Sequence, residues 1–397
     1  MTDSISVLIR CLRPLFQPEG ASSEWKAPDE AVDWQALLRL AGHHKVTPLL
    51  YKSLARPGAP GVPRDVAAQL ESAFHHNLRR TLHLTGELLA VLDDFQSHSI
   101  RVLPYKGPAL AAFLYGNLAL RQFIDLDILV AKRDVLKARD LLARRGYRPL
   151  HALTPAREAA LLRTNIEYVF WHEQKRFSLE LHWRVDFDDD LFALGFEGLW
   201  QRRDTLALAG RAVPHPRRED LLLILCLHTY KHMAGIPRLA WFCDLAQFLH
   251  ENRDMDWDHI LARAATPAGR RGLLPLLWLA HDLFAAPLPE AVWAAIGREP
   301  ELGGLRDRLE ARLAASAPDR RPTVWNMMAY RWRLRRRMAD QKRSFTALVV
   351  PNATDWAWLP LPDGLYFLYY LLRPVRLAVK YARMGADRCL SHGRRDS

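Results

Sequence analysis

Two aspartates separated by one residue are the part of the sequence best suited to chemistry. Asp125 and Asp127 lie in the apolar run 123–130, which is typical of a β-strand. Side chains alternate along a strand, so the two carboxylates are predicted to project from the same face. Two like charges this close repel each other unless a cation lies between them, and oxygen ligands favour Mg²⁺ or Mn²⁺. The alternative is a solvated strand end whose two aspartates have no function.

A second segment adds a third carboxylate. In residues 177–183, Glu180 and His182 alternate with apolar residues. This alternation predicts a strand that presents Glu180 and His182 on one face. A carboxylate on a strand adjacent to the aspartates would complete a three-acid site that holds metal ions, activates an attacking hydroxyl group and neutralises charge on a transferred phosphoryl group. The other interpretation is an exposed polar face on an edge strand.

Three nearby residues have the chemistry of phosphate contacts. Lys106 and Gly107 lie at the turn between a predicted strand and a predicted helix. Backbone N–H groups at a helix start face anions, and glycine lets the backbone approach a ligand closely. Arg121, four residues before Asp125, has a guanidinium group that can bind a phosphate through two hydrogen bonds. Taken singly, these residues also fit an ordinary turn and a surface arginine.

The elements that must position these residues divide the chain into four predicted regions. Residues 1–98 carry apolar residues at helical spacing. Residues 99–215 alternate strands with helices, as in a small α/β domain with a short mixed sheet. Residues 216–318 return to helices, and residues 319–397 form a basic, aromatic-rich C-terminal segment. The predicted fold class is therefore α+β, with the α/β domain embedded between helical N- and C-terminal regions.

The N-terminal region is predicted to contain a long helix over residues 66–95. Its predicted apolar face includes Leu70, Phe74, Leu78, Leu82, Leu88, Leu89 and Leu92. An earlier helix is predicted to begin at Trp34, with Asp33 as its N-cap.

The charge of the whole chain indicates an anionic partner. The 397 residues include 56 Lys and Arg against 44 Asp and Glu, a formal net charge of +12. Nucleotides, nucleic acid and a lipid surface all fit such an excess. An arginine excess in an Ala/Leu/Arg-rich chain also follows from coding bias, so charge alone does not choose among these partners.

The cysteines and the apolar runs bear on the compartment. The four cysteines are far apart and form no Cys-x-x-Cys pair, which disfavours a disulfide framework or a thiolate zinc site. The N-terminal apolar stretch is short and is broken by Arg10 and Arg13, which is unlike a signal peptide. The sequence holds no uncharged apolar run of about 18 residues, so we predict no transmembrane helix. We therefore expect a cytoplasmic protein.

Several of these motifs together resemble a known family. The Lys-Gly pair at 106–107, Arg121 and the Asp-Leu-Asp-Ile-Leu-Val stretch from Asp125 are similar to the core motif of the uncharacterised nucleotidyltransferases in the DNA polymerase β-like superfamily. The Glu-Leu-His-Trp run from Glu180 resembles the family's later motif before His-Trp. The family's histidine-rich helix and its Arg-Leu-x-Trp…Asp stretch are matched by His228, His232, Arg238, Trp241 and Asp244. The resemblance covers about residues 30–300.

The resemblance implies a minimal nucleotidyltransferase domain and the reaction that goes with it. Members transfer a nucleoside monophosphate from a nucleoside triphosphate (NTP) to an acceptor hydroxyl and release pyrophosphate, with Mg²⁺ or Mn²⁺ as the cofactor. The residues expected to be catalytic and to bind the metal are Asp125, Asp127 and Glu180. The residues expected to contact the nucleotide are Lys106, Gly107, Arg121, His182 and Lys231.

Two positions depart from the pattern of the broader superfamily. Its phosphate-binding turn carries Gly-Ser, whereas this chain has Pro108 after Gly107. A serine often precedes the first acid of the Asp-x-Asp pair, and here that residue is Ile124. One alternative is therefore a degenerate domain that binds nucleotide or RNA without chemistry, and another is a toxin-like modifier of tRNA or protein. The acceptor stays open among small molecules, proteins and RNA.

Two further segments allow more than one interpretation. His228 and His232 share a helix face at a spacing that can bind zinc, but a Thr follows His228 where hydrolytic zinc enzymes have glutamate. This helix, with Lys231, either lines the mouth of the cleft or packs on the α/β domain. The arginine-rich run 331–337 and the aromatics of 356–370 fit a peripheral membrane contact, a nucleic-acid contact or a solvated helix before a packed tail. No motif specific for DNA accompanies them.

Overall fold

The computed structural model describes the chain in several stretches. The described residues are 4–16, 32–55, 61–185, 191–233, 235–318, 350–377 and 379. The chain falls into two compact units, which we describe separately. The first comprises Met1–Arg148 and Val169–Arg321, and the second comprises Pro149–Tyr168 and Pro322–Ser397. The four-region division of the sequence stays a prediction.

The described part of the first unit opens on helices, as the apolar spacing predicts. They are α1 (Ser4–Leu12), α2 (Trp34–His43), α3 (Thr47–Leu54) and α4 (Arg64–Ser97). The Asp33 side chain accepts a hydrogen bond from the backbone N–H of Ala36 at 2.9 Å, which confirms the predicted N-cap of α2. This contact satisfies one of the donors that a first helical turn leaves without an intrahelical partner.

The long helix α4 buries only part of the stripe that its apolar residues predict: Leu70, Leu88 and Leu92 are buried. Positions 70, 74, 78 and 82 recur every four residues, but a helix turns once per 3.6 residues, so this stripe drifts around the helix. Leu82 is 53% exposed, whereas Thr81 and Thr85 are buried. The Thr85 hydroxyl donates to the Thr81 carbonyl at 2.7 Å, so a polar side chain is satisfied on the buried face.

A five-stranded mixed sheet follows these helices along the chain, in the order β1-β2-β5-β4-β3. The strands are β1 (Val102–Pro104), β2 (Asp125–Val130), β3 (Tyr147–Pro149), β4 (Glu167–His172) and β5 (Phe177–His182). β2 is antiparallel to β1 and parallel to β5, so the sheet is mixed as expected. The two aspartates of the predicted site lie on β2 and its glutamate on β5. Helices precede and follow this small sheet along the chain, which confirms the α+β class.

Short helices connect the strands. α5 (Gly107–Tyr115) joins β1 to β2, and α6 (Val135–Arg144) follows β2. α5 ends at Gly116, whose φ of 57° lies in the left-handed region that glycine adopts without a Cβ clash. The helix α8, which follows β5, spans Phe196–Gln201.

A two-stranded hairpin is present where the sequence analysis predicted none. It consists of β6 (Asp204–Leu208) and β7 (Arg211–His215), paired in antiparallel register. The two residues between the strands are Ala209 and Gly210, with φ of 49° and 77°. Two successive positive φ values are the signature of the tight turn whose twist matches a hairpin. The glycine between two short alternating runs was the signal for this element.

A bundle of helices completes the first unit. It contains α9 (Arg218–Met233), α10 (Leu239–Glu251), α11 (Trp257–Arg263), α12 (Pro267–Phe284), α13 (Glu290–Gly297) and α14 (Glu301–Ala314). Residues 219–227 of α9 are all buried, because α10, α11 and α12 pack around it. The helices that the periodicity predicts between residues 220 and 296 are confirmed, and α14 adds one more.

The second unit packs part of the aromatic tail through buried charges. Its described helices include α7 (Pro155–Thr164) and α15 (Ala353–Trp358). Asp355 is buried and forms ion pairs with both Arg373 and Arg376. These arginines are therefore engaged within the unit.

The remaining sequence hypotheses about the C-terminal segment stay predictions. The run 331–337 lies outside the described residues. Phe367 and Leu371 are 60% and 69% exposed, whereas Trp356 and Tyr369 are buried. Among the described residues, no helix is both long and apolar enough to cross a membrane.

Candidate active site

The parallel pairing of β2 and β5 places two carboxylates side by side. In this register Asp127 lies directly opposite Glu180, and His182 follows two residues later on the same face. The Nε2 atom of His182 lies 3.3 Å from Oδ1 of Asp127 and 3.3 Å from Oε2 of Glu180. One ligand atom from each of the three residues lies within 4.8 Å of the others. This spacing is close enough for the three side chains to hold one metal ion.

Asp125 contributes to the charge of this group. It lies two positions before Asp127 and therefore shares its face of β2. Burial, and then the charges of Asp127 and Glu180, raise the pKa of Asp125 to about 6. The carboxylates of Asp127 and Glu180 thus repel that of Asp125, as predicted for neighbouring like charges.

The candidate metal ligands overlap with the predicted ones. Asp127, Glu180 and His182 form a group that could hold a metal ion. The predicted metal ligands were Asp125, Asp127 and Glu180, and His182 was expected at the nucleotide; both assignments stay predictions. The parallel pairing of β2 and β5 is what brings the imidazole of His182 to the two carboxylates.

The ammonium group of Lys106 contacts the carboxylate of Asp127. Its Nζ donates to Oδ1 of Asp127 at 2.8 Å, and both side chains are largely buried. Burial alone would lower the pKa of Lys106, but Asp127, Glu180 and Asp125 together raise it. Burial would likewise raise the pKa of Asp127, but Lys106 and His182 hold it below its usual range. At neutral pH the pair is therefore a buried ammonium–carboxylate contact.

The turn into α5 depends on glycine. Gly107 has φ of +55°, a backbone conformation that side chains with a Cβ rarely adopt. A Cβ at this position would lie 3.3 Å from the backbone oxygen of Asp125. The turn and β2 therefore approach each other closely, which brings the N-terminus of α5 next to the carboxylates. The expected approach of the Gly107 backbone to a ligand stays a prediction.

Arg121 is engaged by a residue of the helical bundle. Its Nε donates to Oδ2 of Asp244 at 2.9 Å, and the Tyr115 hydroxyl donates to Oδ1 of the same carboxylate at 2.9 Å. Burial, and then the charge of Asp244, raise the pKa of Tyr115 well above its usual range. The structure thus brings Arg121 to a buried ion pair that links α5, the segment before β2 and α10. Sequence reasoning did not anticipate this partner.

The C-terminal end of α9 carries an aromatic cluster near the carboxylates. The rings of His228 and His232 are 4.4 Å apart, and each lies within 5.6 Å of Trp241. Burial, and then the charge of Lys106, lower the pKa of His228 well below its usual range. Burial, and then Lys231, lower the pKa of His232 to about 4. Both imidazoles are therefore neutral at pH 7.

The position of these residues bears on two earlier interpretations. The charges of Lys106 and Asp127 act on both histidines, which places this helix end beside the site. Lys231 is exposed on the same helix. Among the described residues, neither histidine belongs to a group of three side chains that could hold a metal ion, so the zinc spacing has no third ligand there.

A lysine that no motif singled out also reaches the site. Lys45 lies between α2 and α3 with φ of 57°. The preceding residue, His44, accepts hydrogen bonds from the backbone N–H groups of Leu239 at 3.1 Å and Ala240 at 3.2 Å, through its ring and its carbonyl. The turn is therefore tied to the N-terminus of α10, where Arg238 lies.

The charges around this lysine are mostly positive. Burial lowers the pKa of Lys45, and the charges of Arg238, Arg121 and Arg80 lower it further. The charge of Asp125 acts in the opposite direction, but the pKa is lowered overall. Three arginines from other parts of the chain thus lie close enough to act on the charge of Lys45, together with one carboxylate, Asp125. Only the tertiary structure brings them together.

Comparison with known proteins agrees with this fold. The chain matches the model of a family described as uncharacterised nucleotidyltransferase over residues 30–285. This range holds the helices from α2 to α4, the sheet and the bundle as far as α12. The fold is that of a nucleotidyltransferase. The chain belongs to the uncharacterised nucleotidyltransferase family, and the resemblance seen in the sequence is confirmed.

Solved structures with similar folds have low identity to the chain. The antibiotic-resistance factor ANT(2'')-Ia is 13% identical, with a TM-score of 0.32 over 46% of this chain and 89% of that chain. Lincomycin-bound lincosamide antibiotic adenylyltransferase LnuA is 19% identical, with a TM-score of 0.29 over 41% and 94%. An antigenic nucleotidyltransferase-like protein from Paracoccidioides brasiliensis is 16% identical, with a TM-score of 0.30 over 51% and 93%. No curated protein matches the chain.

Proposed function

We propose that the protein transfers a nucleoside monophosphate from an NTP to an acceptor hydroxyl group in a metal-dependent reaction. The observation that carries the proposal is the pairing of Asp127 with Glu180 across two parallel strands, with His182 within ligand distance of both. Asp125 shares the face, and the N-terminus of α5 lies next to it. This combination of clustered carboxylates and a helix start suits a substrate that carries both phosphates and a metal ion.

The donor set fits a divalent cation. Asp127, Glu180 and His182 would hold it, with Asp125 as a further carboxylate on the same face. Three carboxylates against one ammonium group leave this cluster with excess negative charge, which a divalent ion offsets. When bound, Mg²⁺ or Mn²⁺ would neutralise charge on the transferred phosphoryl group.

The side chains divide the chemical work. Glu180, the more exposed of the two paired carboxylates at 26% against 5% for Asp127, accepts the proton of the acceptor hydroxyl. The acceptor oxygen then forms a bond to the α-phosphorus, and the bond from that phosphorus to the bridging oxygen breaks. Pyrophosphate leaves with the electron pair. Lys106 and the backbone at Gly107 orient the phosphates, since a cation and a helix start both favour anions.

The test measures ligand-induced stabilisation. Thermal unfolding is followed with each of the four ribonucleoside triphosphates, with and without Mg²⁺ or Mn²⁺. A ligand at about one hundred times its dissociation constant adds about 2.7 kcal/mol to the free energy of unfolding. We expect a metal-dependent shift in the wild type and none in Asp125→Asn/Asp127→Asn. The matched control is Asp140→Asn, an exposed carboxylate of α6, which keeps the shift.

Binding alone does not distinguish an enzyme from a binding protein. A degenerate domain that holds nucleotide without chemistry is favoured by one observation: Lys106 occupies an oxygen of Asp127 that a metal ion would use. Pyrophosphate release on addition of fractionated cell extract separates the two. Release that requires Asp127 supports the transferase, whereas nucleotide binding with no release from any protein, RNA or small-molecule fraction supports the binding protein.

A further inference from the structure

A polar groove opens beside the carboxylates, on the side of the N-terminal helices. It lies between α4, the start of α3 and the segment that leads into β2, and its volume is about 690 Å³. This size is in the range of pockets that hold small molecules. The residues of its lining on which the argument rests are Gln69, His76, Arg79, Arg80, Gln122 and Ile124.

The groove adjoins the start of the strand that carries the carboxylates. Ile124 lines it and directly precedes Asp125, the first residue of β2. The Nη2 atom of Arg80 donates to the backbone carbonyl of Ile124 at 3.3 Å. This contact holds the guanidinium group beside the start of β2. A ligand in the groove therefore lies next to the segment that leads into the candidate active site.

The lining is basic. His76, Arg79 and Arg80 follow each other at helical spacing on α4, so they face the same side of that helix. His76 and Arg79 are exposed and Arg80 is half-buried. The described lining contains no aspartate or glutamate. An anion is the ligand that this surface favours.

Two buried polar atoms of the lining also point to a ligand. Within the described part of the chain, Nε of Arg80 and Oε1 of Gln122 are buried and have no hydrogen-bond partner. A buried donor without a partner costs about 1–3 kcal/mol of stability, so such groups usually meet a ligand or water. An oxygen-rich anion beside Arg80 supplies the acceptor that its Nε lacks. Lys45 extends the positive charge toward Asp125.

We propose that this groove is a phosphate-binding subsite of the active site, with Arg79 and Arg80 as its phosphate ligands. The inference rests on the proposed function, because the phosphate belongs to a substrate of that reaction. Its source is either the triphosphate of the donor or a phosphate carried by the acceptor. Guanidinium groups bind phosphate oxygens through paired hydrogen bonds, and two of them at the edge of a carboxylate site hold such a group in place.

The experiment measures binding of two phosphate probes to the full-length protein by calorimetry, without metal. Tripolyphosphate represents the donor and glucose 1-phosphate represents a phosphorylated acceptor. The variants are Arg79→Gln, which removes an exposed side chain, and Arg79→Gln/Arg80→Gln. The matched control is Arg64→Gln, an exposed arginine at the start of the same helix and outside the groove.

We expect the dissociation constant of at least one probe to rise about tenfold for each arginine removed, with no change in the control. Weaker tripolyphosphate binding identifies the donor as the source, and weaker glucose 1-phosphate binding alone identifies the acceptor. Binding by the double variant equal to wild type, or wild type that binds neither probe, overturns the inference. If Arg79→Gln weakens a probe while the wild type releases no pyrophosphate, the proposed function fails, and only phosphate binding by the groove stands.

Discussion

Asp127 meets three different groups inside the first unit. Lys106 donates to it at 2.8 Å, His182 lies at 3.3 Å, and Glu180 is its partner across the parallel strands. The residue is therefore both a structural anion and a candidate metal ligand. These two functions predict different consequences for stability and for turnover when its charge is removed.

We predict that Asp127→Asn abolishes pyrophosphate release and leaves the fold in place. Asparagine keeps the size of the side chain and one carbonyl acceptor for Lys106, but it removes the negative charge that a metal ion needs. Lys106 then lies beside a neutral group, which costs about 1–3 kcal/mol of unfolding free energy. Pyrophosphate release and urea denaturation measure the two effects. Asp140→Asn is the control, and turnover at the wild-type rate in Asp127→Asn contradicts the assignment.

At the scale of elements, the turn into α5 is the joint between β1 and the carboxylate strand. Gly107→Ala places a Cβ 3.3 Å from the Asp125 carbonyl at a φ of +55°. We predict a loss of about 1–2 kcal/mol of unfolding free energy and weaker binding of metal–NTP, because the turn must shift away from β2.

Gly86→Ala is the matched control for this variant. Gly86 lies inside α4, where an added Cβ meets nothing within 4 Å. Alanine there is expected to stabilise the helix by about 0.5–1 kcal/mol. Chemical denaturation of both variants checks the prediction. If the two substitutions shift the free energy of unfolding in the same direction, the prediction that a side chain at position 107 strains the turn is contradicted.

The ion pair between Arg121 and Asp244 joins the bundle to the α/β part. Asp244→Asn leaves a largely buried arginine without its counter-ion, and we predict a loss of about 3–5 kcal/mol of unfolding free energy. Tyr115→Phe removes only one hydrogen bond to the same carboxylate and is predicted to cost about 1 kcal/mol. Equilibrium denaturation of both variants distinguishes the charge from the hydrogen bond. Equal losses would show that the ion pair adds nothing beyond that bond.

At the scale of the whole molecule, buried neutral histidines make stability depend on pH. His215 is 1% exposed and its ring stacks on Phe113 at 5.0 Å. Burial lowers the pKa of His215 from 6.5 to about 4. Burial, and then the neighbouring His43, lower the pKa of His44 to about 3.

The sign follows from the lowered pKa values. Below pH 6.5 the unfolded chain takes up a proton at each site, while the folded chain does so only as the pH falls through about 4 at His215 and about 3 at His44. The contribution of these histidines to the free energy of unfolding is therefore greatest above pH 6.5. For His215 it falls by about 3 kcal/mol as the pH drops from 6.5 to 4. Denaturation of the wild type at several pH values measures the slope. His215→Gln is predicted to flatten it, with exposed His75→Gln as the control, and parallel profiles would refute the assignment.

The sequence by itself determined most of the helices and the two strands that carry the carboxylates, and it supplied the candidate site residues, whose roles stay predictions. Spacing of apolar residues gave the helices from α9 to α13, because a helix repeats every 3.6 residues whatever packs against it. The Asp-x-Asp pair, Glu180 and the Lys-Gly turn were visible as residue types at short spacing. Their order along the chain also carried the family resemblance, which the family match over residues 30–285 confirms.

Only the tertiary structure decided which of these groups meet. His182 joined Asp127 and Glu180 because β2 and β5 pair in parallel, a register that no local spacing contains. Arg121 forms an ion pair with Asp244, which lies 123 residues later in the chain. The groove along α4 depends on which side of a long helix turns toward the site. Periodicity fixes the faces of an element, whereas burial and charge pairing across the whole chain decide what each face touches.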